Sequence, residues 1–251
     1  MSEPARPRSA RGPVRQFLGS LFFTAFVPAW TFLFAIPFVV MCAFLPFRKR
    51  YLLARWYARS MLWVLKVSCG LTYRVEGAPI PAGAHVALWK HSSSWETMAM
   101  MVVFPRQVWV LKRELMWLPV VGTGIWQMHS IAINRKAGHS AVYQVVEQGK
   151  RRLAEGSWVM IYPEGTRMPV GATRRYGVSG TLLAQETGCL IVPVAHDAGY
   201  YWPRRGILKK PGVVRVVIGA PVSAAGRDVR ELNAEIQAWV ERTVAEIAPQ
   251  G

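Results

Sequence analysis

Two regimes of hydrophobic patterning meet near Gly70. From Phe17 to Phe47 no position is charged, and a helix through that run would be about 46 Å long against a hydrocarbon core of about 30 Å. One straight span is an awkward fit. A cleaved signal is also awkward, because a signal's apolar region spans about 7 to 15 residues and no small-x-small cleavage site follows, so the segment is expected to be retained. Arg6, Arg8, Arg11 and Arg15 precede it, and Arg48, Lys49, Arg50, Arg55 and Arg59 follow it. Both flanks then prefer the cytoplasmic side. A re-entrant or hairpin segment bent near Pro28 or Pro37 satisfies them better than a single tilted span or a buried core helix. Residues 1–16, rich in proline, small residues and arginine, read as a mobile basic tail.

The next stretch, RKRYLLARWYARSMLWVLK, is helical in period. At 100° per residue Arg48, Arg55, Arg59 and Lys66 fall within about 40° of one another, with Leu52, Trp56, Trp63 and Val64 on other faces. A basic stripe with tryptophan anchors describes an interfacial helix. Residues 17–69 are therefore expected to be membrane-associating helices, and 70–251 a separate catalytic domain.

Beyond Gly70 short apolar runs alternate with helical stretches. LTYRVE, AHVALW, QVWVLK, SIAI, SWVMIY, LIVPVA and VVRVVIG read as strands. Helices are expected over about 95–103, 140–154, 179–187 and 228–247, the last with Asp228 and Glu231 as a capping pair. Such alternation predicts an α/β fold, a mostly parallel central sheet covered by helices on both faces, with working residues at the carboxyl ends of the strands.

Composition narrows the partners. Thirty-one basic against 14 acidic residues leave a net charge of +17, which asks for an anionic partner: nucleic acid, anionic lipid or a phosphorylated substrate. Cys42, Cys69 and Cys189 stand far apart in no ligand spacing, and the five histidines form no HExxH cluster. Neither a disulfide framework nor a metal cofactor is expected.

The candidate chemistry sits at strand ends. WKHSSSWET follows AHVALW and holds His91 and Glu96. Ser93 with Glu96 is an S-x-x-E capping box, so Glu96 can simply secure a helix start. It can also orient an imidazole whose other nitrogen takes a proton from a hydroxyl. GVSGT at 177–181 is not the GxSxG elbow, so that hydroxyl is expected to belong to a substrate. YPEGTR, 162–167, ends another strand and offers glycine for close approach, a threonine hydroxyl and an arginine suited to phosphate. LKRELMWLPVVGTGIWQMHSIAINR places Lys112 and Arg135 at its two ends, and LIVPVA centres on Pro193.

His91, Glu96, Arg135, YPEGTR and IVPV, in this order, resemble the glycerolipid acyltransferase family with its HxxxxD and EGTR motifs, in particular the bacterial 1-acyl-sn-glycerol-3-phosphate acyltransferases; the likeness covers about 70–220. The resemblance implies His91 as general base, with Glu96 in the place of the signature aspartate. It implies that Arg135 and Arg167 hold the acceptor's phosphate, that Glu164, Gly165 and Thr166 shape that pocket, and that Pro193 belongs to the acceptor or donor pocket. Lys112 is a further phosphate candidate. The implied reaction is transfer of a fatty acyl group from acyl-CoA or acyl carrier protein to lysophosphatidic acid, giving phosphatidic acid, with no cofactor and no nucleic acid. The implied location is the cytoplasmic side of the bacterial inner membrane. Three positions depart from the pattern: Lys90 stands for the usual asparagine, Glu96 for aspartate, and Gly177 for a lysine. A different lysolipid acceptor, such as lyso-ornithine lipid, and a non-catalytic membrane-anchored protein binding anionic lipid or nucleic acid are the rival readings.

Overall fold

A computed structural model describes residues 12–135 and 137–249. The expected tail lies mostly outside them; helix α1, Pro13–Phe44, begins inside its last residues. α1 runs uninterrupted through Pro28 and Pro37, so the expected bend is not at either proline. The reversal comes instead at Leu45–Pro46, where the residue before a proline is driven out of the helical region: Leu45 has φ −101° and ψ 143°. Helix α2, Phe47–Cys69, then returns antiparallel along α1. Trp30 Nε1 donates to Ser60 Oγ at 2.9 Å, Thr31 and Tyr57 share a hydroxyl contact of 2.6 Å, and the Phe34 and Tyr57 rings stack at 4.9 Å. Near the open end Gly19 lies so close that a Cβ there would sit 2.2 Å from the Ser68 carbonyl oxygen. This side-by-side packing supplies along the whole helix what the prolines remove at two points. α1 leaves Phe17, Phe22, Phe32, Leu33, Ile36, Val40 and Phe44 exposed, and it is long and apolar enough to cross a bilayer.

The strands are β1 Leu71–Gly77, β2 Val86–Trp89, β3 Gln107–Lys112, β4 Ile131–Ile133, β5 Trp158–Ile161, β6 Leu190–His196, β7 Gly212–Ile218 and β8 Val222–Ser223. They form one sheet in the order β1-β7-β6-β2-β5-β3-β4, with β8 beside β6. Pairing is parallel except for the antiparallel β6–β7 and β6–β8 contacts.

Alternation along the strands makes two cores. Ala87, Trp89, Trp158, Met160, Val192 and Val194 face α2 and α3, Trp95–Val103. Val86, Leu88, Val159, Ile161 and Ile191 face the other helices: α5 His139–Ala154, α6 Ser179–Thr187 and α8 Val229–Ile247. Asp228 caps α8 as expected, its Oδ1 accepting from the Arg230 and Glu231 amides at 2.9 Å each. Three short pieces were not foreseen besides β8: a 3₁₀ turn at Arg113–Trp117, α4 Val121–Gln127 and α7 Ala198–Tyr201. α4 (VGTGIWQ) carries two glycines and forms where α1 supports it, Gly124 facing Phe38 and Val39.

A buried lysine joins α1 to the sheet domain. The Lys209 amide donates to Ser20 Oγ at 2.9 Å, and its ammonium donates to Thr24 Oγ1 and to the Ile207 carbonyl while lying 5.7 Å from the Phe23 ring centre and 5.2 Å from that of Trp202. Burial pushes its pKa down. Lys209→Ala should lower stability by about 1–3 kcal/mol and should speed hydrogen exchange selectively over residues 17–24, with β2, β5 and β6 protected as before. Uniform deprotection would show that Lys209 contributes only general packing.

Candidate active site

At the carboxyl edge of the sheet β2 ends and the chain turns through His91-Ser92-Ser93-Ser94 into α3. The turn is organised by one buried carboxylate. Glu96 Oε1 accepts from His91 Nδ1 at 2.8 Å, from the Ser92 amide at 3.0 Å and from the Ser93 amide at 2.9 Å. Ser93 Oγ accepts from the Trp95 amide at 3.1 Å. Glu96 thus secures the start of α3 and holds the imidazole with the same oxygen. Burial pushes the Glu96 pKa up, but the hydrogen bond from His91, the nearby His196 and His91 rings and the Ser93 amide more than offset it and hold it below the usual carboxylate range.

With Nδ1–H donating to Glu96, His91 carries its lone pair on Nε2, which has no protein partner among the described residues. The ring is stacked on Tyr162 at 4.0 Å and 15°. Its main chain is clamped from both sides: its amide donates to Glu164 Oε2 at 2.7 Å, and its carbonyl accepts from the Met168 amide at 2.7 Å. Both clamps come from the loop after β5, so YPEGTR positions the histidine directly.

That clamp corrects the expected place of Glu164. Its side chain is turned inward and buried, one oxygen on the His91 amide and the other 2.7 Å from Lys90 Nζ. Lys90, also buried, meets Glu241 of α8 at 2.8 Å and the Ala172 carbonyl at 3.2 Å. Burial pushes the Glu164 carboxyl up to about 7, with Lys90 opposing the shift. Glu241 Oε1 also accepts from Thr173 and Tyr176 hydroxyls at 3.0 and 3.2 Å. A buried lysine without partners would be strongly destabilising; here two carboxylates and a carbonyl answer it.

Arg135, just past β4, donates to the Gly165 carbonyl. Gly165 takes a positive φ of 69° and its amide returns to the Tyr162 carbonyl at 2.9 Å, a tight turn followed by the half-buried Thr166 and Arg167. Arg135 is thus joined to Gly165, and Arg167 acts electrostatically on Tyr162, the ring on which His91 stacks. Lys112, half-exposed at the end of β3, pairs with Glu114 at 3.5 Å, and Glu114 also acts electrostatically on Arg135. Pro193 sits within the sheet. It is buried mid-strand in β6, after the residues paired with β8 and before those paired with β7, where a missing amide hydrogen is tolerated, and its carbonyl accepts from the Gly219 amide at 2.9 Å. Gly177 supports the loop through its own amide, which donates to the Pro163 carbonyl at 2.8 Å.

His196 was overlooked. It is buried at the end of β6, accepts from the Ala198 amide on Nδ1 at 3.3 Å, and donates from Nε2 to the Lys90 carbonyl at 2.8 Å. Nε2 also lies 4.0 Å from Glu96 Oε2. Burial pushes its pKa down, in keeping with a neutral ring. Its place at a strand's carboxyl end, like that of His91, was the available signal.

Comparison with known proteins places this arrangement. A family model described as acyltransferase matches residues 72–197, and a 1-acyl-sn-glycerol-3-phosphate acyltransferase of Pseudomonas aeruginosa is 38% identical over 239 residues, 93% of each chain. The chain belongs to the acyltransferase family. An Escherichia coli protein of the same name is 28% identical over 193 residues, covering 74% of this chain and 76% of that one. The crystal structure of the Thermotoga maritima 1-acyl-sn-glycerophosphate acyltransferase PlsC superposes with a TM-score of 0.76 at 20% identity, covering 95% of this chain and 98% of that one, which shows the same fold. The chain is an enzyme of acyl transfer, built on an α/β domain with an amino-terminal apolar helix that fits membrane association.

The raised Glu164 pKa has a signed consequence. Between the ordinary carboxylate range and about pH 7 the folded chain holds a proton here that the unfolded chain has lost, so this group's contribution to stability declines as pH rises through that window and is constant above it. In urea titrations between pH 5 and pH 8, Glu164→Gln should lack that decline; an identical pH slope in wild type and variant would show that Glu164 is ionised throughout.

Proposed function

We propose that the chain transfers a fatty acyl group from an acyl thioester to the 2-hydroxyl of 1-acyl-sn-glycerol-3-phosphate, forming phosphatidic acid. The observation that carries this reading is the His91–Glu96 pair, with Nε2 open to a substrate, held by the loop that carries Arg167 and that Arg135 joins at Gly165. His91 Nε2 takes the proton of the 2-hydroxyl, and the oxygen attacks the thioester carbonyl. The tetrahedral intermediate then collapses, the carbon–sulfur bond breaks, and the thiolate leaves with the proton returned by the imidazolium. Glu96 stabilises the imidazolium through Nδ1–H during the transfer. Arg135 and Arg167 suit the acceptor's phosphate, since guanidinium forks pair with phosphate oxygens.

The acyl group comes from acyl-CoA or acyl carrier protein, and no cofactor or nucleic acid enters this scheme. The α1–α2 hairpin and the exposed basic residues Arg48, Arg59 and Lys66 support attachment to an anionic leaflet on the cytoplasmic side of a bacterial inner membrane. The helices before Gly70 serve as the membrane element and the remainder as the catalytic domain.

Transfer of labelled acyl groups from either donor to lysophosphatidic acid tests the reading. His91→Ala should lower the rate by about 10²–10⁴-fold, with the folded state unchanged by circular dichroism. Arg135→Met and Arg167→Met should raise KM for lysophosphatidic acid more than for the donor. Phosphatidic acid formed equally well by His91→Ala would remove the base assignment, and a folded wild type that acylates only lysolipids without a phosphate would remove the acceptor.

A further inference from the structure

The segment between β3 and β4 exposes more apolar surface than a catalytic domain needs. Trp117 and Trp126 are 68% and 67% exposed, and Leu115 and Leu118 are exposed beside them. The segment is a built hairpin: the Gly122 amide donates to the Leu118 carbonyl at 2.8 Å, and a Cβ on Gly122 would sit 2.1 Å from the Met116 carbonyl oxygen. It is seated on the second half of α1, with Gly124 against Phe38 and Val39 and Gln127 Nε2 donating to the Val39 carbonyl at 3.1 Å. There α1 exposes Ile36, Val40, Met41 and Phe44. The apolar surface of α1 therefore continues onto the sheet domain.

Charge surrounds this surface. Lys112 and Arg113 enter the hairpin, Arg48 and Lys49 follow the end of α1, and Arg135 stands at the end of β4; all are exposed. Tryptophans on an apolar face rimmed by cations match the boundary between headgroups and acyl chains of an anionic leaflet. We propose that the 113–127 hairpin is a second membrane-docking element that seats the β3–β4 edge in the leaflet, so that a lysolipid acceptor reaches Arg135 without leaving the bilayer. The docking stands on the surface alone; the acceptor's route rests on the function proposed above.

The test uses the full chain with Cys189→Ser and one bimane-labelled cysteine, mixed with vesicles of equal parts phosphatidylcholine and phosphatidylglycerol carrying brominated acyl chains. A label at Trp126→Cys should be quenched as strongly as one at Phe32→Cys on α1, and one at Arg230→Cys on α8 should not. In parallel, the Trp117→Ser, Trp126→Ser double variant should show KM for vesicle-borne lysophosphatidic acid raised at least about tenfold. Its turnover of a short-chain lysophosphatidate dissolved as monomer should be unchanged, which also reports intact folding. An unquenched Trp126→Cys label beside a quenched Phe32→Cys label overturns the docking, as does a label shift produced by protein concentration alone, which would mark a contact between copies. Equal KM effects on both acceptors overturn the route. Failure of the wild type on both acceptors removes the proposed function, while the quenching result still decides the docking.

Discussion

A single buried oxygen, Oε1 of Glu96, carries the arrangement on which the rest of the site depends. Desolvating a carboxylate is destabilising by several kcal/mol unless donors replace the lost water, and here two amides of the turn and the Nδ1–H of His91 do so. Because two of the three donors are main chain, the carboxylate cannot move without undoing the start of α3. The imidazole thus inherits the rigidity of a helix terminus. The extra methylene of glutamate is accommodated by the chain folding back over the turn, and the 2.8 Å contact to His91 survives the departure from the aspartate pattern.

The second departure has a different physics. A lysine at 90, beside His91, would place an unanswered charge in the core. It is answered by Glu164 from the loop after β5 and by Glu241 from α8. The ammonium thereby ties together the end of β2, the YPEGTR loop and a helix on the far face of the sheet. Glu164 spends its other oxygen on the His91 amide, so the same network that neutralises Lys90 also fixes the height of the histidine above the sheet. The glutamate of the tetrapeptide acts on the protein's own main chain, through the His91 amide.

How legible this was depended on the range of the interaction. Seven strands and four helices announced themselves through periodicity within a few residues, as did the Asp228 cap and the His91–Glu96 spacing. The partners of Lys90 lie 74 and 151 positions away along the chain, so no local pattern could reveal whether it was surface charge or a buried strut. Glu164 and Pro193 were assigned by motif membership, which marks that a residue matters without saying which way its side chain turns. The expectation of a break at Pro28 or Pro37 rests on local helix propensity, whereas the α2 contacts along the unbroken α1 are not local. α4 was invisible for the converse reason: its glycines disfavour a helix until Phe38 and Val39 of α1 lie against it.

The large positive charge then divides into two kinds of cation. Lys90 and Lys209 are buried and act as internal fasteners, one holding the loop after β5 and the other joining α1 to the loop before β7. Arg48, Arg59 and Lys66 remain exposed along α2 and face outward with the tryptophans. Since α1 is fastened near its start by Lys209 and near its end by α4, its orientation relative to the sheet is fixed at two points. A helix held in this way cannot tilt independently of the domain that carries His91, and whatever depth it takes in a bilayer is transmitted to the carboxyl edge of the sheet. The apolar helix and His91 are therefore coupled through packing.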